Sequence, residues 1–541
     1  MISGMGALWN LIVRWVGRSK WAIRFLHLSE ARAKPRAKGL VMIQIDGLSY
    51  NQLSHALRRR EVPFIRKLLS QKGYDLRRHY SGLPSSTPAV QAELFYGIKS
   101  GVPAFGFVDR ESGEIIRMFD PGSVHDIDTA FQKQGLPLLQ GGSSYCDNYT
   151  GGAAEVHFSP SSLGWDSLMK RANPIALLLL AVLNIYSVLR TVVLLFVEFL
   201  LAIYDFVRGL VEGRNLIKEL KFIPTRVTIC ILLRELVTIG AKVDIARGLP
   251  VIHVNFLGYD EQAHRRGPNS RFAHWALKGI DDAIGRIWRA TQGPANRDYD
   301  MWIYSDHGQE KTESYAVVHG RSVEDAVAEV FERQWEDEPR AIAGDLKGIQ
   351  LQRARLLGGS KIQRLFPLGD TERKGKHANL TVTAVGPLGF VYFSEKLDEK
   401  RRDRLARAMV DRAAIPLVLS PYDSKGVRAW TPEGVFSLPE DNERVLGPDH
   451  PFLNEVTEDL MGLCRHPNAG QFLISGWRRT GRPVSFPIES GAHGGPGPEE
   501  TGGFAVLPKR ILGFRPGKPY LRPSDLRREA AALLGIQKES G

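Results

Sequence analysis

LPVIHVNFLGYDEQAH, residues 249–264, reads as a short buried strand that ends on a carboxylate and turns into a helix. The run is rich in β-branched and aromatic residues, as a strand buried on both faces should be. Asp260 and His264 follow it at i,i+4 spacing, which puts both side chains on one helical face. His253, inside the run, reads as a packed core histidine. Downstream, RFAHWALKGIDDAIGRIWRATQ (271–292) repeats apolar residues at helical spacing, and DYDMWIYSDHG (298–308) is a second strand ending on Asp306 and His307. Upstream, KGLVMIQID (38–46) is a third, ending on Asp46. Strands alternating with helices predict an α/β fold with a mostly parallel central sheet and helices on both faces. In such sheets sites form beyond the carboxyl ends of the strands, where all these polar residues fall.

Two turn-rich stretches complete the set. SGLPSSTPAV (81–90) carries Thr87 just before Pro88, and proline suits the first turn of a helix, where no donor is needed. The helix that follows would aim its free amides and positive end at a bound phosphate. SGAHGG (490–495) carries His493. Asp46, Thr87, Asp260, His264, Asp306, His307 and His493 thus combine carboxylates, imidazoles and one hydroxyl. Carboxylate oxygen and imidazole nitrogen are the donors that hold Zn²⁺-class ions.

The order Asp, Thr, Asp-x-x-x-His, Asp-His, His resembles the alkaline phosphatase superfamily, and most of all its type I phosphodiesterase/nucleotide pyrophosphatase branch. The resemblance runs along residues 40–310 and again over 485–508, and is loose between them. It implies an alkaline phosphatase-like fold and two divalent cations, Zn²⁺ or alternatively Mn²⁺. By the same resemblance Asp260, His264 and His493 hold one ion, and Asp46, Asp306 and His307 the other. Thr87 is then the nucleophile that forms a phospho-threonine intermediate, so the chain should hydrolyse phosphoric esters. A phosphoglycerol- or phosphoethanolamine-type transferase and a non-catalytic membrane scaffold are the alternatives. No Cys-x-Pro-x-Arg surrounds the nucleophile, which sets the sulfatase variant aside. SGVPAFGFVDRESGE (100–114) lacks the asparagine that nucleotide pyrophosphatases carry after the nucleophile, leaving the Thr87 amide or Arg110 to serve.

The chain has 541 residues, 43% of them hydrophobic and 24% charged, which is globular composition and excludes wholesale disorder. Its 72 Lys+Arg against 59 Asp+Glu give +13, and the basic excess over residues 14–38 suits an anionic surface. No aromatic-interleaved basic motif points to nucleic acid. Cys146, Cys230 and Cys464 are odd in number, widely spaced and without a CxxC pair, so no disulfide framework is implied.

The expected organisation starts with a basic amphipathic segment, 1–37, suited to a membrane interface. Next come a first part of the catalytic core (38–171), an apolar helical insertion facing the membrane (172–221) and a second core part (222–320). An α+β cap lobe (321–484) and a core return with C-terminal tail (485–541) follow. The apolar run at 173–207 is long enough to span a membrane. Thr87 precedes it and Asp260 follows it, and both must meet on one side, so crossings are even in number or absent. A helix or hairpin lying on lipid is the expectation. Basic residues flanking the insertion favour the cytoplasmic face of a membrane-associated protein.

Overall fold

The computed structural model describes residues 38–160, 228–293, 297–333, 341–343, 380–395, 397–424, 426–511 and 519–536, with residue 23 and scattered positions between 185 and 203. The amphipathic segment at 1–37, apart from Ile23, and most of the insertion at 172–221 lie outside the described residues. No described helix is long and apolar enough to cross a membrane.

An eight-stranded sheet forms the centre. Its order is Tyr520–Leu521, Tyr74–Tyr80, Gly502–Pro508, Tyr299–Tyr304, Gly39–Ile45, Val251–Phe256, Ser143–Tyr145 and Glu155–His157. Gly39–Ile45 pairs in parallel with both Val251–Phe256 and Tyr299–Tyr304, so the three carboxylate-tipped strands sit side by side. Gly502–Pro508 alone runs against its neighbours. Because it is reversed, its beginning reaches the edge where the other strands end, and that brings the His493 loop there.

The strands are continuous apolar runs because helices bury both faces. Val41, Ile43 and Ile45 point to one side, against Leu53, Ile65, Val237, Ile280 and Ile284 of the flanking helices. Leu40 and Met42 alternate to the other side and meet Phe95, Phe131 and Leu526. The first face is covered by helices Tyr50–Arg58, Pro63–Gln71, Arg234–Arg247 and Arg271–Thr291. The stretch between the first two strands forms two helices, not one, because Pro63 cannot donate to a preceding turn and a second helix starts there.

A second, seven-stranded sheet is built from residues between 341 and 475. Its hairpin Leu380–Val385/Leu388–Phe393 continues antiparallel through Phe472–Ser475, and helix Glu399–Asp411 packs on one face. The two sheets are joined by a polar hub. Arg522, at the start of helix Pro523–Leu534, meets Asp459 at 3.1 Å and Glu93 at 3.4 Å, while Tyr80 donates to Asp459 at 2.9 Å.

Of the apolar insertion, the described side chains of Ile185, Leu189, Val192, Val193, Phe196, Phe199, Leu200 and Ile203 are exposed to solvent.

Candidate metal centre

Each expected site residue enters from a strand end or the loop after it. Asp46 directly follows Gly39–Ile45, and Asp306 and His307 follow Tyr299–Tyr304 by one residue. Asp260 and His264 lie one turn apart on helix Gly258–Arg266. Thr87 is the first residue of the wholly buried helix Thr87–Tyr96, with Pro88 in its first turn. His493 follows the short strand Gly491–Ala492, which pairs with Glu310–Lys311 just beyond His307. Gly47 has to be glycine: its φ is +72°, and a Cβ there would stand 2.6 Å from Asp260 Oδ1.

The seven residues converge. Donor atoms of Asp46, Asp306 and His307 lie within 4.8 Å of one another, and so do those of Asp260, His307 and His493. The first trio is the one the sequence resemblance implies. The second differs by having His307 where His264 was expected. His264 is nonetheless adjacent, its Nε2 3.4 Å from Asp260 Oδ1 and its ring centroid 4.9 Å from that of His493. Thr87 Oγ1 donates to Asp46 Oδ1 at 3.4 Å and stands 3.4 Å from His307 Nε2, which puts the hydroxyl inside the cluster.

The imidazoles are oriented from behind. His493 Nδ1 donates to the Ser85 carbonyl at 2.9 Å, His264 Nδ1 to Glu489 at 2.8 Å, and His307 Nδ1 to the Gly308 carbonyl at 3.0 Å. A carbonyl can only accept, so Nδ1 of His307 and His493 carries a proton, and Nε2 lies on the side of the cluster where a cation would sit. Burial, helped by the charge of His307, holds His493 well below the ordinary imidazole range. His264 behaves oppositely. Burial pulls its pKa down, but Asp260 and Glu489 together outweigh that and raise it to about 10. Burial also raises the Asp306 carboxyl, although His307 works against it.

The residues fit cations. Buried carboxylates are stable when paired or metal-bound, and Asp306 Oδ2 is buried with no hydrogen-bond partner. The clusters are therefore two candidate sites for divalent ions, both made of aspartate and histidine.

Several supporting residues escaped the sequence reading. Glu489 orients His264, Asn255 donates to Asp46 at 3.3 Å, and Gln309 donates to Asp260. Ser85 ties the Thr87 loop to the His493 loop, accepting from Gly494 N and donating to the Gly495 carbonyl, both at 2.9 Å. Arg110, considered for the phosphate, is held elsewhere: its guanidinium donates to the Ala469 carbonyl in the region of the second sheet. His253 is a core histidine, donating or accepting between Asp147 at 2.8 Å and Tyr304 at 2.6 Å.

Glu500 braces the same loop, accepting from Gly495 N and Gly497 N at 2.8 Å. Burial and then the neighbouring Glu310 push its carboxyl up from 4.5 to about 8. The folded state therefore keeps a proton that the unfolded chain loses near pH 4.5. That contribution to stability is complete below pH 4.5 and drains away as pH climbs towards 8. Each pH unit in this window costs about 1.4 kcal/mol for such a group. The expected result is a melting temperature that falls between pH 5 and 8, with a visibly shallower fall in Glu500→Gln. Equal slopes in the two proteins would remove this assignment.

A family model described as type I phosphodiesterase / nucleotide pyrophosphatase matches residues 240–360. Over those 121 of 541 residues the chain is similar to that family. The matched stretch of the phosphodiesterase family carries Asp260, His264, Asp306 and His307. No curated protein matches the chain. Among solved structures, phosphonoacetate hydrolase from Sinorhizobium meliloti 1021 in complex with phosphonoformate is 13% identical, with a TM-score of 0.47 over 92% of this chain and 96% of that one. Murine ectonucleotide pyrophosphatase / phosphodiesterase 5, in an inactive form with AMP, is 11% identical, with a TM-score of 0.45 over 93% and 96%. The human protein of that name gives 11% and 0.43 over 92% and 95%.

Proposed function

We propose that this chain cleaves phosphoric esters with Thr87 as nucleophile beside two divalent cations, Zn²⁺ or alternatively Mn²⁺. Asp260, His264 and His493 would hold one ion, and Asp46, Asp306 and His307 the other. The observation that carries this reading is the position of Thr87 Oγ1, 3.4 Å from both Asp46 Oδ1 and His307 Nε2, at the first turn of a helix. Bound cations would supply Lewis-acid polarisation of the phosphoryl group.

In the first step Thr87 Oγ1 bonds to phosphorus, the ester oxygen leaves, and the hydroxyl proton is lost towards Asp46 and ends on the departing alcohol. The free amides at the start of helix Thr87–Tyr96 face the phosphoryl oxygens. In the second step water attacks the phosphoryl-threonine, the Oγ1–P bond breaks and Thr87 regains its proton.

Membrane association and lipid-linked substrates, with the cytoplasmic face preferred, belong to the same proposal. Their support is the exposed apolar set between Ile185 and Ile203 and the basic residues flanking it in sequence. Turnover of bis(p-nitrophenyl) phosphate in ¹⁸O-water, with glycerol or ethanolamine added, tests hydrolysis. The expected product carries ¹⁸O and leaves the acceptor unmodified. A phosphorylated acceptor exceeding its mole fraction would instead make the chain a transferase.

A further inference from the structure

A buried chain of hydrogen bonds ties together the three elements that carry Asp46, Asp306 and Thr87. Gln44 lies two residues before Asp46 on its strand, and Tyr304, its partner in the sheet, two before Asp306. Gln91 lies one turn after Thr87 on the helix. His253 stands on the strand between Gly39–Ile45 and Ser143–Tyr145, opposite Ser144, and Asp147 is in the loop just beyond. All six side chains are wholly buried. The ring of Phe95, from the Thr87 helix, stands edge-on to the His253 imidazole with centroids 4.9 Å apart.

The direction of every bond follows from one end of this chain. The backbone N–H of Asn148 can only donate, and it meets Gln91 Oε1 at 2.8 Å. That orients the Gln91 amide, whose Nε2 donates to Asp147 Oδ1 at 2.9 Å and to Gln44 Oε1 at 3.2 Å. Gln44 Oε1 in turn accepts from the Tyr304 hydroxyl at 3.1 Å. A phenol has one proton, so the Tyr304 oxygen must accept from His253 Nε2, 2.6 Å away. Turning Gln44 over would offer its unpartnered Nε2 to Tyr304, but would set that NH₂ against the NH₂ of Gln91. At the other end, His253 Nδ1 stands 2.8 Å from Asp147 Oδ2, which also accepts from Ser144 at 2.6 Å. Charge leads to the same proton. Among the described residues no lysine or arginine pairs with Asp147, and His253 does. A fully buried carboxylate is costly when uncompensated. One proton on the line from Nδ1 to Oδ2, with a second on Nε2, leaves the pair neutral.

We infer that His253 and Asp147 are positioning residues, a neutral pair with a proton on Nε2 that locks Tyr304, Gln44 and Gln91 into one pattern. That pattern holds Thr87 in register with Asp46 and Asp306. The role rests on the phosphoric ester reading above; the proton does not.

Nitrogen-15 spectra of the full chain, labelled in histidine, detect the proton. At about pH 7.5, where an ordinary imidazole is neutral, His253 should show a proton bonded to Nε2. Its signals are identified by their loss in His253→Gln. An Nε2 without a proton overturns the inference. Tyr304→Phe keeps the ring and deletes the hydroxyl, while Asp147→Asn keeps the shape and deletes the charge. Both are assayed on bis(p-nitrophenyl) phosphate with Zn²⁺ or Mn²⁺ saturating. A displacement of about 1 Å at the reacting atoms can cost about a hundredfold. Tyr304→Phe is therefore expected to lower kcat about tenfold and Asp147→Asn about a hundredfold, with KM changed less than about threefold. A merely structural pair would lower the melting temperature and leave kcat per folded chain within about twofold, which overturns the positioning role. Should Asp147→Asn fail to fold, Tyr304→Phe carries the comparison. No turnover by the unaltered cation-loaded chain removes the hydrolase reading, and the nitrogen spectrum still decides the lock.

Discussion

Thr87→Ala is expected to lower kcat by at least about a thousandfold on any phosphoric ester the protein turns over. The substitution removes the hydroxyl whose oxygen lies 3.4 Å from both Asp46 and His307. Alanine is a strong helix former and Pro88 stays in the first turn, so helix Thr87–Tyr96 should persist. Cation content and melting temperature should therefore change little. Thr87→Ser restores a hydroxyl at the same position and is expected to recover a substantial part of the rate. Ser85 and Ser86 are the nearby hydroxyls that could substitute, but Ser85 is engaged with Gly494 and Gly495 of the His493 loop. Steady-state kinetics on the three proteins decide the matter. An alanine variant within tenfold of the unaltered enzyme would show that Oγ1 does not form the bond to phosphorus.

The parts of this site that could be read in advance are those that leave a local mark. A strand buried on both faces writes an unbroken apolar run, and GLVMIQI, VIHVNF and YDMWIY are such runs, wholly buried. A carboxylate at the end of each run is visible by contrast, as is the i,i+4 pair Asp260 and His264. Pro88 announced the helix that starts at Thr87. What could not be read is what depends on residues meeting from far apart in the chain. Glu489 reaches His264 from 225 positions away, and Ser85 reaches Gly494 from 409. Neither pairing imposes a period on the sequence. The reversed strand Gly502–Pro508 has no mark of direction, because its residues are buried on both faces like those of its parallel neighbours. Arg110 looked available for a phosphate only because its acceptor, the Ala469 carbonyl, lies 359 positions away.

Removing cations should have the other large effect. Asp46, Asp260 and Asp306 are all buried, and Asp306 Oδ2 accepts no hydrogen bond. Without an ion such a cluster lowers its charge by taking up protons, and the raised carboxyl of Asp306 and the raised imidazole of His264 are where they go. His264 already donates from Nδ1 to Glu489, so the extra proton sits on Nε2, the atom a cation needs. Binding must displace it, and the apparent affinity for Zn²⁺ or Mn²⁺ should therefore rise with pH across the range below the His264 value of about 10. Chelation is expected to abolish turnover, and readdition to restore it. A cation at 100 times its Kd should stabilise the fold by about 2.7 kcal/mol, read as an upward shift in melting temperature. Asp306→Asn keeps the shape of the side chain but removes a donor charge, and should cut the bound metal from roughly two ions per chain to roughly one. Calorimetric titration at several pH values, with metal analysis of both proteins, measures all of this. Affinity that ignores pH, or a purified chain that binds no divalent ion, would leave these buried carboxylates needing another explanation.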